Sequence, residues 1–249
     1  MAADPKPDAD EELGRAVGEL AGGDVDRSTM ARAVRLARSS LKTAGARSLA
    51  TGQWLAETLL EAVPHIPVRD ADTMRAQYGG RTGDALAREL VRSASRTTAG
   101  LGAVAGALAG AHQLVPATWG VIPAELLVET LAVVAVEMKL VAELQEVYGM
   151  PVTGTPSQRS TAVVLAWAES RGVTARTLAE PGGLAQALGR GSRRELTRIL
   201  QRRLTRRAMR NMSALAPLMA GAVAGAELNR RATRSLGEKV TRDLSSRAP

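Results

Sequence analysis

Apolar residues recur every three to four positions along almost the whole chain, and Ala, Leu and Val supply most of them. This spacing places them on one face of an α-helix, whereas the alternation typical of a half-buried strand does not run through any long segment. The pattern predicts successive helices separated by turns that contain Gly and Pro. We therefore expect an all-α protein, a compact single-domain helical bundle in which Gly- and Ala-rich helices pack closely.

The most regular segment is the run of about 26 residues at 124–149, which follows Pro123 and stops at a glycine and a nearby proline. Most of its circumference is apolar, so we expect it to be the central helix. One stripe is charged and consists of Glu125, Glu129, Lys139, Glu143 and Glu146. Glutamates on a helix normally form a solvated face, and we expect this of Glu125 and Glu129.

Two segments are predicted to lack regular structure. Residues 1–12 are acidic and have neither the basic start nor the apolar stretch of a secretory signal, so we expect a disordered tail. The helical domain would then be 13–249, with one candidate subdomain joint at 189–192. The interval 64–82 contains two prolines and paired glycines, which predicts a long loop that is either a mobile connection or functional. Ser28 is expected to cap the second helix.

Glycines spaced four apart occur in two Ala-rich stretches. They are Gly102, Gly106 and Gly110 in the first stretch and Gly221 and Gly225 in the second. Positions four apart share a helix face, where a row of glycines lets another backbone approach closely. Each glycine disfavours a helix by about 1 kcal/mol relative to alanine, so the rows need a tertiary reason. We expect helix contact inside the bundle; the alternative is helix contact within a bilayer.

Positive charge is concentrated in the Arg-rich segment, residues 193–212. Together with Arg190 it holds nine arginines against Glu195, a net charge of +8 that equals the excess of the whole chain. Five of the arginines form a row opposite a row of leucines, and we call them the Arg row: Arg194, Arg198, Arg202, Arg206 and Arg210. Like charges four apart repel each other, so the Arg row needs an anion.

Three anions could serve the Arg row. Anionic lipid headgroups attract basic amphipathic helices. Nucleic-acid phosphate is the second candidate, although the segment lacks the aromatic residues that usually stack on single-stranded bases. The third is the protein's own acidic stripe, formed by the glutamates of the charged stripe on the predicted helix 124–149. A merely solvated face remains the alternative to all three.

Residues with catalytic chemistry are scarce. The chain has no cysteine and only two histidines, and it contains no nucleophile elbow, no zinc-protease helix motif and no phosphate-binding loop. We expect no catalytic residue, no cofactor and no metal. The enzymatic alternative is an acidic site at Glu125 and Glu129, with polar residues of 69–72.

Two blocks carry a family resemblance. The block ETLAVVAVEMKLVAELQEVYGM, residues 129–150, ends in a Tyr-Gly step, and the block APLMAGAVAGAELNRRATRSLGEKVTRDL, residues 216–244, joins a proline to the second glycine row and a final amphipathic helix. In this order they resemble the EcsC family of bacterial proteins, over roughly residue 86 to the C-terminus. The resemblance implies an all-helical protein without catalytic residues, associated in one genomic setting with an ABC transporter.

Together these features predict a non-catalytic cytoplasmic protein, peripheral on the inner face of the cell membrane. It would bind an anionic membrane surface through the Arg row and act as an accessory or scaffold of a membrane complex, with a homo-oligomer as an open alternative. The alternative function is nucleic-acid binding by the same segment, 193–212.

Overall fold

The structure is a computed structural model, and it describes residues 9–51, 53–111, 124–171 and 220–247. These ranges hold eight α-helices, one short 3₁₀ helix and no strand, so the fold is all-α, as the sequence predicts. The elements in chain order are α1 (Ala9–Gly22), α2 (Arg27–Thr51), α3 (Gln53–Ala62), the 3₁₀ helix (Val63–His65), α4 (Ala71–Gln77), α5 (Gly83–Ala111), α6 (Ala124–Val147), α7 (Pro156–Ser170) and α8 (Ala220–Ser245).

Helix α6 is the centre of the described bundle. It packs against α1, α2, α3, α5, α7 and α8. Every residue from 124 to 144 except Lys139 is buried. A helix that is apolar on nearly all sides must be covered on all sides, which confirms the central position predicted from its sequence.

The most extensive helix pair among the described elements is α5 with α8, the two helices that carry the predicted glycine rows. A Cβ atom added to Gly102 would lie 3.0 Å from the backbone nitrogen of Ala226 and 3.0 Å from Nδ2 of Asn229. The backbones therefore approach as closely as the first row predicts. Gly106 is half-buried on α5, while Gly110 and Gly221 lie outside the residues whose side-chain surroundings are described.

Gly225, the second member of the C-terminal glycine row, does not lie in the contact with α5. A Cβ atom there would meet no atom of the described residues within 4 Å, whereas one at Gly102 would touch α8 closely. The next residue, Ala226, faces α5 instead, because successive positions on a helix point about 100° apart.

A third glycine row, which sequence reasoning missed, runs along α1 at Gly14, Gly18 and Gly22. A Cβ atom at Gly14 would lie 3.0 Å from the backbone of Glu61, and one at Gly18 would lie 2.5 Å from the carbonyl oxygen of His65. The row lets the end of α3 and the 3₁₀ helix lie directly on α1. Its spacing matches that of the first row, so the signal was present in the sequence.

Several boundaries differ from the prediction. Helix α1 begins at Ala9, inside the predicted tail, and the predicted joint at 189–192 lies outside the described residues. Asp26, not Ser28, caps α2, because its carboxylate accepts the backbone N–H of Thr29 at 2.7 Å and the Ser28 hydroxyl donates to that same carboxylate. The predicted loop 64–82 overlaps the end of the 3₁₀ helix and contains α4.

Candidate functional site

The Arg row, predicted to bind an anionic surface, lies outside the described residues, as does the rest of the Arg-rich segment. Binding of an anionic surface by the Arg row therefore stays a prediction. The described residues that bring charged groups together lie instead on and around α6, where four glutamates are buried: Glu125, Glu129, Glu137 and Glu143.

Glu125 and Glu129 do not form the solvated face that the sequence predicts. They are only 4% and 5% exposed, because α2 and α8 cover this end of α6. Arg38 of α2 donates to Glu125 Oε1 at 2.5 Å, and the side chain of Asn229 on α8 donates to Glu129 Oε1 at 2.6 Å. Each buried carboxylate thus has a polar partner brought by a different helix, as buried charges require.

Glu137 is completely buried, and sequence reasoning missed it. Its carboxylate accepts the indole N–H of Trp167 at 3.1 Å and the hydroxyl of Thr233 at 3.4 Å, and it forms an ion pair with Arg171. These donors tie α7 and α8 to the central helix. The signal available in the sequence was a single glutamate on the apolar side of the most apolar helix.

Glu143 accepts hydrogen bonds from two cationic side chains of the described residues. Arg69 donates Nε to Oε1 at 2.7 Å, Nη2 to Oε2 at 2.8 Å and its backbone N–H to Oε1 at 3.3 Å. Lys139, one turn earlier on α6, donates to the same Oε1. The bonds to Glu143 are also the main cause that raises the pKa of the Arg69 guanidinium above its ordinary value.

Arg69 is itself held from two further sides. Its Nη1 donates to Gln77 Oε1 at 2.6 Å, and its guanidinium carbon lies 5.7 Å from the ring centre of Tyr78. Lys139 has a side chain that is only 11% exposed. Burial lowers the pKa of Lys139, Arg69 lowers it further, and Glu143 opposes the shift.

Two cavities meet at Arg69, which lines both. The smaller one, of about 310 Å³, lies between α1, α5 and α6 and includes Lys139 and Glu143 in its wall. We call it the Lys139 cavity. The larger, of about 770 Å³, lies between the 3₁₀ helix, α6 and α7 and includes Asp70 and Glu146. Both volumes fall within the usual range of small-molecule sites.

The predicted enzymatic alternative is not assembled as a single site. Arg69 contacts Glu143 rather than Glu125 or Glu129, and Glu129 lies 14 residues earlier on α6, which is about 21 Å along the helix. Among the described residues, no group of three or more His, Cys, Asp or Glu side chains is placed to hold a metal ion. Within the same ranges, no helix combines the length and the apolar character needed to cross a bilayer.

Fold and site define a class of protein: an all-α bundle whose central helix carries buried carboxylates, each joined to donors from surrounding elements. Comparison of the chain with family models, with curated proteins and with solved structures gives no match in any of the three. The resemblance to the EcsC family accordingly stays a prediction.

Proposed function

We propose that this protein is a non-catalytic helical accessory protein that attaches peripherally to the anionic inner face of the cell membrane through the Arg row. The observation that carries the proposal is the net charge of +8 concentrated in residues 190–212. Anionic leaflets attract basic segments by about 1 kcal/mol per Lys or Arg near the surface, so five arginines on one face would give substantial and salt-sensitive binding.

Helix α8, the first described element after the Arg-rich segment, supports the proposal. It exposes Val223 and Leu228, with 73% and 57% of each residue accessible. Exposed apolar side chains close in sequence to a basic amphipathic segment have the composition of a surface that enters the boundary between headgroups and acyl chains.

The surroundings of Glu143 bear on the competing idea that the acidic stripe neutralises the Arg row. Glu143 already accepts hydrogen bonds from Arg69 and Lys139 and is only 3% exposed. This member of the stripe is occupied by two other cations. The Arg row therefore has one fewer internal carboxylate available to it.

The resemblance to the EcsC family extends the proposal to a partner. It suggests that the membrane-attached protein serves as an accessory or scaffold of a membrane complex, for which an ABC transporter is the partner class implied. Self-association through the same exposed surfaces is the alternative partner.

Co-sedimentation with lipid vesicles tests the membrane proposal. The full chain should sediment with vesicles that contain phosphatidylglycerol, but not with phosphatidylcholine vesicles, and salt should reduce the bound fraction. Replacing Arg198, Arg202 and Arg206 with Glu should abolish sedimentation.

A matched control uses three other arginines spaced four apart: Arg88, Arg92 and Arg96, all exposed on α5. Their replacement with Glu changes the net charge by the same amount and should leave most of the binding intact. Equal loss in both variants, or no binding at physiological salt, contradicts the proposal.

Nucleic-acid binding by the same segment is the second candidate, because phosphate would also neutralise the Arg row. A polarisation titration with a labelled oligonucleotide in rising salt separates the two. Phosphate binding without lipid, with a steep linear dependence of log affinity on log salt concentration, would favour the nucleic-acid function over the membrane one.

A further inference from the structure

The ammonium group of Lys139 has more donors than the described residues engage. A lysine side chain carries three N–H donors. Glu143 accepts one of them, and the described residues form no further hydrogen bond with Lys139. The Lys139 side chain is only 11% exposed, so little water surrounds the remaining two N–H groups, which can donate to an acceptor that enters the cavity beside them.

The charges around the Lys139 cavity do not cancel. The ionisable residues that the described part of the chain contributes to its wall are Arg69, Lys139 and Glu143, two cations and one anion. Glu143 is already saturated by donors from both cations, as described above. The described wall therefore keeps one net positive charge beside the largely buried Lys139 side chain, and a single negative charge entering the cavity would neutralise it.

The remaining wall indicates what the rest of such an anion would contact. Leu90, Ala94, Val136 and Leu140 provide apolar surface, while Thr97 adds a hydroxyl group. The volume of about 310 Å³ lies at the lower end of the range of small-molecule sites. A carboxylate joined to a short apolar body matches this combination of size, charge and lining.

We propose that the Lys139 cavity binds a small monocarboxylate, whose oxygens accept hydrogen bonds from Lys139 while its apolar part lies against α5 and α6. This site is independent of the Arg row, because it is formed by α1, α5, α6 and the segment that carries Arg69. Its failure would leave the membrane proposal standing, and the reverse also holds.

Hexanoate and hexan-1-ol, which have the same chain length and differ in charge, are suitable probes. Calorimetric titration of the full chain should detect hexanoate binding and no comparable binding of hexan-1-ol. The chain has only four lysines, so lysine-selective ¹⁵N labelling gives few NMR signals. Hexanoate should shift the signal that disappears in Lys139→Met.

Variants locate the site. Lys139→Met should weaken hexanoate binding by about tenfold to a hundredfold, as expected for the loss of hydrogen bonds to a charged group. Lys42→Met, at an exposed position on α2, should bind like the unmodified chain. Ala94→Leu, which adds apolar volume to the cavity and keeps the lysine, should also abolish binding, so the test stays valid if Lys139→Met does not fold.

Three results would overturn the proposal: equal binding of hexanoate and hexan-1-ol, unchanged hexanoate affinity in Lys139→Met or in Ala94→Leu, or no shift of the Lys139 signal at saturating hexanoate.

Discussion

Arg69 donates two parallel hydrogen bonds to the carboxylate of Glu143, from Nε at 2.7 Å and from Nη2 at 2.8 Å. The pair joins the segment between the 3₁₀ helix and α4 to the central helix, across 74 residues of sequence. Two-point contact between a guanidinium and a carboxylate fixes orientation as well as distance. The segment at 66–70, which the sequence presents as a loop, is therefore held in one position against α6.

We expect Arg69→Ala to lower the free energy of unfolding by about 3 kcal/mol, because it leaves Glu143 buried with Lys139 as its only remaining cation. Urea unfolding followed by circular dichroism measures the change. Arg75→Ala is the control: Arg75 pairs with Asp72 at 2.9 Å on an exposed surface, and such pairs contribute at most about 1 kcal/mol. Equal effects of the two variants would show that the Arg69–Glu143 pair stabilises the protein no more than an exposed ion pair does.

Replacing a glycine of the rows by alanine should change the stability of the protein in opposite directions at two positions. Gly18→Ala should destabilise the protein by about 1–3 kcal/mol, because its Cβ would lie 2.5 Å from the carbonyl oxygen of His65 and force α1 away from the 3₁₀ helix. Gly225→Ala should stabilise the protein by about 0.5–1 kcal/mol, because its Cβ meets no atom within 4 Å in the part of the chain that the structure describes, and alanine favours the helix. Thermal unfolding of both variants checks the signs. Destabilisation by Gly225→Ala would mean that this face of α8 is covered.

Local sequence signals were sufficient for the elements that depend on local chemistry. The central helix was predicted at 124–149 and is observed at Ala124–Val147, because its apolar pattern and its stop signals all lie within the segment. The close approach at Gly102 was predictable for the same reason, since spacing alone defines a bare helix face.

The burial of Glu125 and Glu129 could not be predicted in this way. Their partners Arg38 and Asn229 lie 87 and 100 residues away in sequence. Whether a glutamate on a helix faces water or a neighbouring helix depends on where those distant residues pack. The spacing of polar and apolar residues within α6 does not show which distant helices cover it. The Lys139 cavity has the same origin, because its wall combines α1, α5, α6 and the Arg69 segment.

Two tryptophans donate their indole N–H to acceptors of different charge, which makes them a matched pair. Trp167 donates to the carboxylate of Glu137 at 3.1 Å, and Trp54 donates to the hydroxyl of Ser40 at 2.8 Å. Both rings are buried, so replacement by Phe removes similar volume at each site. Hydrogen bonds to charged groups contribute about 1.5–3 kcal/mol and neutral ones about 0.5–1.5 kcal/mol. Trp167→Phe should cost about 1 kcal/mol more than Trp54→Phe in urea unfolding; the reverse order would contradict the assigned role of Glu137.

The lowered pKa of Asp26 predicts how the stability of the protein changes at acidic pH. Hydrogen bonds from the backbone of Thr29 and the side chain of Ser28 lower the pKa of its carboxyl group from 3.8 to about 2. Between these values the unfolded chain binds more protons at this group than the folded one, so stability rises with pH there. The contribution of the cap should be complete above the ordinary pKa and should be lost as the pH falls towards 2.

The difference in unfolding free energy between the unmodified chain and Asp26→Ala should therefore be constant above about pH 5 and shrink between about pH 4 and pH 2. Asp26→Asn, which caps the helix without titrating, should differ from Asp26→Ala by an amount that does not depend on pH. NMR titration of the Asp26 carboxyl carbon gives the pKa directly. A midpoint at or above 3.8 would mean that the two hydrogen bonds do not favour the ionised cap, and the pH dependence argued from them would be absent.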